Sequence, residues 1–225
     1  MHIAILMANT DESAFAQRHP KDGEKFRNLL APLRPDWRFT TLSVKDGTFP
    51  SDLSDYDGFI ITGSPASVHD DAPWVHRLMQ LIRDIRTAKL PLYGACFGHQ
   101  AIALALGGRV EKNPGGWVFG LTETQMEGAP IHLYAAHVEQ VTNLPQGAEP
   151  LGGNADCAIG AYRIGGQVLT TQYHPEITES FATALVEEYY EKLPPEVAKR
   201  AKQSLTRPAE TERMAQRIVD FFESA

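Results

Sequence analysis

The sequence predicts an α/β fold in which an open, mostly parallel twisted sheet carries helices on both faces. Short, continuous apolar runs open the chain at residues 2–7 and recur at residues 58–62, and such runs are typical of strands buried on both faces of a parallel sheet. Stretches with helical spacing separate the predicted strands. This alternation of strand and helix is that of parallel sheets with right-handed crossovers.

The composition is that of one globular domain, with or without an appendage. The chain has 225 residues, of which 43% are hydrophobic and 22% are charged. Lys and Arg number 21 against 28 Asp and Glu, a formal charge of -7 without basic clusters, so we expect no nucleic-acid partner. The apolar amino terminus lacks a basic region and a cleavage site, and no apolar run reaches the roughly 20 residues that span a bilayer. We therefore expect a cytoplasmic protein without membrane contact.

The first half of the chain alternates between loop, helix and strand. Residues 9–22 are polar and without periodicity, which predicts a long first loop. Apolar residues between Phe26 and Leu33 recur at helical spacing, and a strand rich in aromatic and branched residues follows at 37–44. Gly63 then begins a turn after the buried strand at 58–62. A helix is predicted from about Asp71 to Thr87, with Pro73 near its start.

The second half is richer in short strands. Runs at residues 117–124, 131–138 and 158–164 are punctuated by Gly, Pro and Asn, and predict a small antiparallel flap attached to the main sheet. Residues 168–173 are predicted as the last core strand. Three amphipathic stretches follow, and the domain division is placed at 1–190 and 191–225, with the second part a helical C-terminal tail packed on the first. A homodimer or partner interface is the alternative use of these apolar stripes.

Residues 93–100 have the layout of a nucleophile elbow around Cys96. Gly94 and Gly98 flank the cysteine between a predicted strand and a predicted helix, where larger side chains would clash in the sharp reversal. The amino end of the helix points at the sulfur and favours the thiolate. The alternative is a small buried core residue, and that is the interpretation we prefer for the other cysteine, Cys157.

His174 and Glu176 supply a base and a group to orient it. In extended backbone, residues two apart project to the same side, and Pro175 between them disfavours a helix. Cys96 and His174 both follow predicted core strands, and the carboxyl ends of such strands line the functional crevice of open α/β sheets. The sequence therefore predicts a Cys-His-Glu triad of Cys96, His174 and Glu176.

At this point the residues resemble the class-I glutamine amidotransferases, and in particular the free-standing branch that is similar to the amidotransferase domain of GMP synthase. The resemblance covers about residues 1 to 190 and implies a flavodoxin-like fold. The motifs that carry it are Gly94-x-Cys96-x-Gly98-x-Gln100, His174-Pro175-Glu176, the turn Gly63-Ser64-Pro65, and the segment 137–141.

The resemblance implies a role for each of these segments. Cys96 would attack the γ-carboxamide of glutamine, and the N–H groups of Phe97 and of Ser64, after Gly63, would form the oxyanion hole. The substrate contacts that it implies are Gly94, Gln100, Ala136 and His137, without a cofactor or a metal. Two positions depart from the family pattern, since Ser64 replaces a more usual glycine and Ala136 replaces a serine whose hydroxyl could touch substrate.

Three functions agree with these observations. The first is a hydrolase that releases ammonia from glutamine through a γ-glutamyl thioester, for an unidentified acceptor or a separate synthetase chain. The second is a self-contained γ-glutamyl peptidase that acts on γ-glutamyl peptides or amines. The third is a non-catalytic regulatory or binding protein, which the retention of all three triad residues disfavours.

The remaining histidines are expected to have structural roles. His99, inside the elbow, is predicted to be a partly exposed helix residue, and His69 with Asp70 and Asp71 is predicted to precede a helix rather than to bind a metal.

Overall fold

The computed structural model describes residues 1–225 and contains eleven strands and seven α-helices. The strands are β1 (His2–Met7), β2 (Arg38–Ser43), β3 (Gly58–Ile61), β4 (Leu92–Ala95), β5 (Arg109–Lys112), β6 (Val118–Met126), β7 (Ala129–His137), β8 (Glu139–Asn143), β9 (Ala148–Gly152), β10 (Ala161–Ile164) and β11 (Val168–Thr171). The helices are α1 (Ala14–Gln17), α2 (Asp22–Leu30), α3 (Pro73–Thr87), α4 (Phe97–Ala105), α5 (Glu179–Tyr189), α6 (Pro195–Ser204) and α7 (Thr211–Ser224). None of the helices has the length and apolar character that crossing a membrane requires.

Seven strands form the central sheet in the order β2-β1-β3-β4-β11-β10-β9. The pairs from β2 to β11 are parallel, whereas β10 pairs antiparallel with β11 and β9 pairs antiparallel with β10. This arrangement confirms the predicted fold class. The flap consists of two separate antiparallel pairs, β5 with β8 and the hairpin of β6 with β7.

The assignment of residues 158–164 to the flap was wrong. Residues Ala161–Ile164 form β10, which pairs along its length with β11 in the main sheet. The turn between them contains Gly165, whose φ of 54° lies in the left-handed region that glycine adopts without strain. An antiparallel strand joined by a tight turn has the same sequence pattern in a flap as at the end of a larger sheet.

The continuous apolar runs are explained by burial on both faces of the sheet. In β1, Ile3 and Ile5 face a core that includes Phe26 of α2, whereas Ala4 and Leu6 face the opposite core. Helices α3 and α4 cover that second face. Because successive strand residues point to opposite faces, each of these positions must be apolar.

The last helix is part of the main core. On α7 the residues Met214, Ile218, Phe221 and Phe222 are buried against the same cluster as β1 and α2. A Cβ added at Gly58 of β3 would lie 2.6 Å from the Phe222 ring. The apolar stripe of α7 is therefore buried against the rest of the chain. The domain division at residue 190 stays a prediction.

Replacing Phe222 by alanine is expected to lower the free energy of unfolding by about 3–5 kcal/mol, because it leaves a cavity between α7 and β3. Urea denaturation measures the loss. Tyr190→Ala is the control, since Tyr190 is 37% exposed and its truncation is expected to cost less than about 1 kcal/mol. A loss at Phe222 as small as at Tyr190 would contradict the structural role of α7.

Residues 9–22, predicted to be a loop throughout, contain the short helix α1. The Ser13 hydroxyl caps it by accepting a hydrogen bond from the Ala16 N–H, at 3.2 Å. Phe15 is buried, with its ring 5.8 Å from that of Phe181 on α5. A helix of one turn is too short to show periodicity, so the sequence pattern could not reveal it.

Candidate active site

The nucleophile elbow has the backbone conformation that its sequence predicts. Cys96 lies between β4 and α4 with φ 48° and ψ -103°, a strained conformation for a residue with a side chain. The flanking glycines permit the close approach of α4 to the sheet. A Cβ at Gly98 would clash with the carbonyl oxygen of Ile61 on β3, and one at Gly94 would lie 2.7 Å from that of Gly98.

The second segment of the site follows β11 and carries His174 and Glu176. The Nδ1–H of His174 donates a hydrogen bond to Oε1 of Glu176, at 2.7 Å, and both residues are buried. The His174 backbone N–H donates to the carbonyl of Tyr134 on β7, at 2.9 Å, so the flap helps to hold the segment. The Nε2 of His174 has no hydrogen-bond partner. The imidazole is thus oriented by Glu176 and keeps its other nitrogen free.

Charges around His174 favour its protonated form. Burial by itself lowers the pKa of an imidazole, but the neighbouring Cys96 thiolate and the Glu176 carboxylate outweigh it and raise the pKa of His174 well above its usual value. A thiolate paired with an imidazolium is the state in which sulfur is most nucleophilic and the histidine can act as an acid.

The turn after β3 brings the predicted oxyanion segment to the same place. A Cβ at Gly63 would lie 2.7 Å from Cε1 of His174 and 3.7 Å from Cβ of Cys96. The backbone N–H groups of Ser64 and of Phe97 make no hydrogen bond to the rest of the protein. The ends of β3, β4 and β11 therefore bring together a thiol, an imidazole, a carboxylate and two free N–H donors.

A line of buried amides lies behind the sulfur. The Nε2 of Gln172 is 3.5 Å from Sγ of Cys96, and its Oε1 accepts from Nε2 of Gln100, at 3.1 Å. Gln100 also donates to the carbonyl of Glu139, at 2.7 Å. The Glu139 carboxylate accepts from the hydroxyl of Ser67, at 2.9 Å. Sequence reasoning gave Gln172 no role, although its place directly after a core strand and two residues before His174 could have indicated one.

Three of the predicted substrate contacts lie outside the cavity next to Cys96. Gln100 belongs to the amide line, and Gly94 is packed under α4. His137 is buried and its Nδ1–H donates to the Glu139 carbonyl, at 3.0 Å, while burial lowers the pKa of its ring to about 4. Ala136 does line the cavity. Direct contact of Gly94, Gln100 and His137 with a substrate stays a prediction.

The expectation that His99 is partly exposed was wrong. The residue is fully buried, because this side of α4 packs against β11 and β10. Its Nδ1 forms a hydrogen bond with the hydroxyl of Thr170, at 2.8 Å, and its ring lies 4.9 Å from that of Tyr162. Burial lowers the pKa of His99 to about 3, so this imidazole is neutral.

A cavity of about 160 Å³ opens beside Cys96, His174 and Gly63. Its polar rim includes Asp11 and Lys45, and its wall is mostly apolar. The larger apolar side chains of the wall, none of which the sequence assigned to the site, include Phe15, Trp117, Phe119, Phe181, Leu185 and Tyr189. They come from α1, α5 and the strand β6 with the residue before it, and only the tertiary structure brings them together.

The chain contains no group of three or more His, Cys, Asp or Glu side chains that could hold a metal ion. Among the trio His69, Asp70 and Asp71, the ring of His69 forms a hydrogen bond with the carbonyl of Val110, at 3.0 Å, and α3 begins shortly afterwards.

Comparison with known proteins relates this chain to one family. The family model for glutamine amidotransferase class-I matches residues 36–191. A glutamine amidotransferase-like protein of Schizosaccharomyces pombe is 28% identical over 98% of both chains. Gamma-glutamyl peptidase 3 of Arabidopsis thaliana is 30% identical over 64% of this chain and 65% of the relative. A GMP synthase of Porphyromonas gingivalis is 35% identical over 58% of this chain but only 27% of its own length.

Solved structures share the fold at lower sequence identity. A glutamine amidotransferase from Methylobacillus flagellatus superposes with a TM-score of 0.74 at 21% identity, over 99% of this chain and 93% of the other. A glutamine amidotransferase from Thermotoga maritima gives a TM-score of 0.75 at 18% identity, over 99% and 98% of the two chains.

Proposed function

The chain belongs to the class-I glutamine amidotransferase family, and on this basis we propose that it hydrolyses γ-glutamyl amide bonds through a thioester on Cys96. The observation that carries the proposal is the convergence of Cys96, His174 and the Gly63 turn at the ends of three neighbouring strands. The free N–H groups of Ser64 and Phe97 support it, because a tetrahedral oxyanion needs two such donors.

Each step has a group to perform it. The Cys96 thiolate attacks the γ-carbonyl carbon, and the oxyanion that forms is stabilised by the N–H groups of Ser64 and Phe97. The imidazolium of His174 gives its proton to the departing nitrogen, and the C–N bond breaks. His174, now neutral, takes a proton from water, which hydrolyses the thioester to glutamate and restores the thiolate. Glu176 holds the imidazole in one tautomer throughout.

Two leaving groups are compatible with this chemistry. The first is ammonia from glutamine, delivered to an acceptor or to a separate synthetase chain, as the similarity to GMP synthase suggests. The second is a larger amine from a γ-glutamyl peptide or amide, and the similarity to gamma-glutamyl peptidases supports it. The cavity favours the second candidate, since its apolar wall extends well beyond the space that ammonia occupies.

Partitioning of the thioester with hydroxylamine tests the proposal. A common γ-glutamyl thioester is expected to give the same ratio of γ-glutamyl hydroxamate to glutamate from glutamine and from γ-glutamyl peptides, because the leaving group has already departed. Absence of hydroxamate, or a ratio that changes with the leaving group, would contradict the mechanism. The relative rates of glutamate release from the two substrates distinguish the two candidates.

A further inference from the structure

The wall of the cavity beside Cys96 forms two groups of rings. On one side, the ring centroids of Phe15 and Phe181 lie 5.8 Å apart, and the Lys25 ammonium is 3.5 Å from the Phe181 ring centroid. On the other side, Phe119 lies 6.1 Å from Trp117 and 5.5 Å from Tyr189. An apolar space of this kind next to a nucleophile favours a bulky apolar or aromatic group over a hydrated one.

The position of His174 shows which end of a substrate meets these rings. The departing nitrogen must receive the proton of His174, so whatever that nitrogen carries extends into the space beside His174. Helix α5 begins soon after His174, and its residues Phe181 and Tyr189 line the same cavity as His174, together with Phe15 of α1. The leaving group therefore extends into the cavity that these rings line.

The charges that line the cavity disfavour a carboxylate on the leaving group. All three lining lysines are already in ion pairs, Lys25 with Asp22 at 2.8 Å, and Lys45 and Lys21 with Glu12 at 2.8 and 3.5 Å. Asp11, by contrast, lines the cavity without an ion pair, and its Oδ1 accepts only from the Ser13 N–H. A carboxylate on the leaving group would meet lysines that already have anionic partners, together with the unpaired negative charge of Asp11.

We propose that the preferred substrates are γ-glutamyl amides of arylalkyl amines, compounds whose leaving group has an aromatic body and no carboxylate. The inference rests on the proposed function and specifies its substrate class. In the reaction the C–S bond of the thioester forms, the C–N bond breaks, and the arylalkyl amine leaves with the proton of His174. Water then releases glutamate.

Two substrates that differ in one group test the proposal. γ-Glutamylphenethylamine and γ-glutamylphenylalanine share the aromatic body, and only the second carries a carboxylate on the leaving group. We expect kcat/KM for the amine to exceed that for the dipeptide, and that for glutamine, by about tenfold or more. Equal values for the two aromatic substrates, or a faster reaction with glutamine, would overturn the proposal.

Variants of the wall separate binding of the ring from exclusion of the carboxylate. Phe181→Ala is expected to lower the ratio of kcat/KM for γ-glutamylphenethylamine to that for glutamine by about tenfold. The matched control is Phe49→Ala, since Phe49 is also half-buried and has a cation over its ring, Arg77 at 4.1 Å, but lies outside the cavity. An unchanged ratio in Phe181→Ala would overturn the assignment of the ring site.

Asp11→Asn keeps the acceptor for the Ser13 N–H and removes the charge. It is expected to raise kcat/KM for γ-glutamylphenylalanine relative to γ-glutamylphenethylamine by about five- to tenfold. Asp36→Asn, an exposed position outside the cavity, is the control and leaves this ratio unchanged. An unchanged ratio in Asp11→Asn would show that Asp11 is not the source of the selectivity.

The experiments distinguish an error in the proposed function from an error in the substrate class. If none of the γ-glutamyl compounds, glutamine included, gives glutamate or hydroxamate, the proposed function itself is wrong. If glutamine or the dipeptide is hydrolysed through the hydroxylamine-sensitive thioester while the arylalkyl amide is not preferred, only the substrate class is wrong.

Discussion

Cys96→Ser is expected to lower kcat by about 10⁴-fold or more. Serine is nearly isosteric, so the elbow is retained, but its hydroxyl is far less acidic than a thiol and supplies no anionic nucleophile beside His174. Glutamate release measures the loss. In the same experiment, iodoacetamide is expected to label the unaltered protein once and the variant not at all at this position, as detected by peptide mass.

Cys157→Ser is the matched control. Cys157 is fully buried, and burial raises the pKa of its thiol to about 12, so it stays protonated and unreactive at neutral pH. Activity and labelling in this variant are expected to match those of the unaltered protein. Substantial turnover in Cys96→Ser, or loss of labelling in Cys157→Ser instead, would refute the assignment of the nucleophile.

Glu176→Gln is expected to lower kcat by about 10²- to 10⁴-fold while leaving the fold intact. The carboxylate fixes the imidazole through the 2.7 Å hydrogen bond to Nδ1, and it is one of the charges that hold the pKa of His174 above its usual value. In the proposed mechanism the imidazolium of His174 is the acid, and it is lost as the pH rises through that pKa. Removing the carboxylate lowers the pKa, so the alkaline limb of the activity profile moves to lower pH.

The measurement is kcat from pH 5 to pH 10 in both proteins. Glu179→Gln is the control, because Glu179 is an exposed carboxylate three residues further along the chain and does not contact His174. A profile in Glu176→Gln with an unshifted alkaline limb would show that Glu176 does not tune His174, even if the rate were reduced.

Local sequence patterns were sufficient to predict the sheet and the centre of the site. A strand buried on both faces must be apolar at every position, so β1 and β3 could be recognised from single runs. The elbow could be predicted because Gly94 and Gly98 are required by close backbone contacts. His174 and Glu176 could be paired because they lie two residues apart in extended backbone.

What the sequence did not reveal depends on contacts between distant segments. The burial of His99 depends on β10 joining the main sheet beside β11, which the alternating pattern of β10 does not specify. The aromatic wall combines Phe15 from a one-turn helix with Phe119 and Phe181 from elements far apart in sequence. The periodicity within one segment does not predict which side chains from distant segments come into contact.

The line of buried amides behind Cys96 determines which atom of Gln172 faces the sulfur. The carbonyl of Glu139 can only accept a hydrogen bond, so the atom of Gln100 that meets it must be Nε2. That same Nε2 needs an acceptor in Gln172, which turns Oε1 of Gln172 towards it and Nε2 towards Sγ. One backbone carbonyl of the flap therefore determines, through the side chains of Gln100 and Gln172, that an N–H donor faces the sulfur of Cys96.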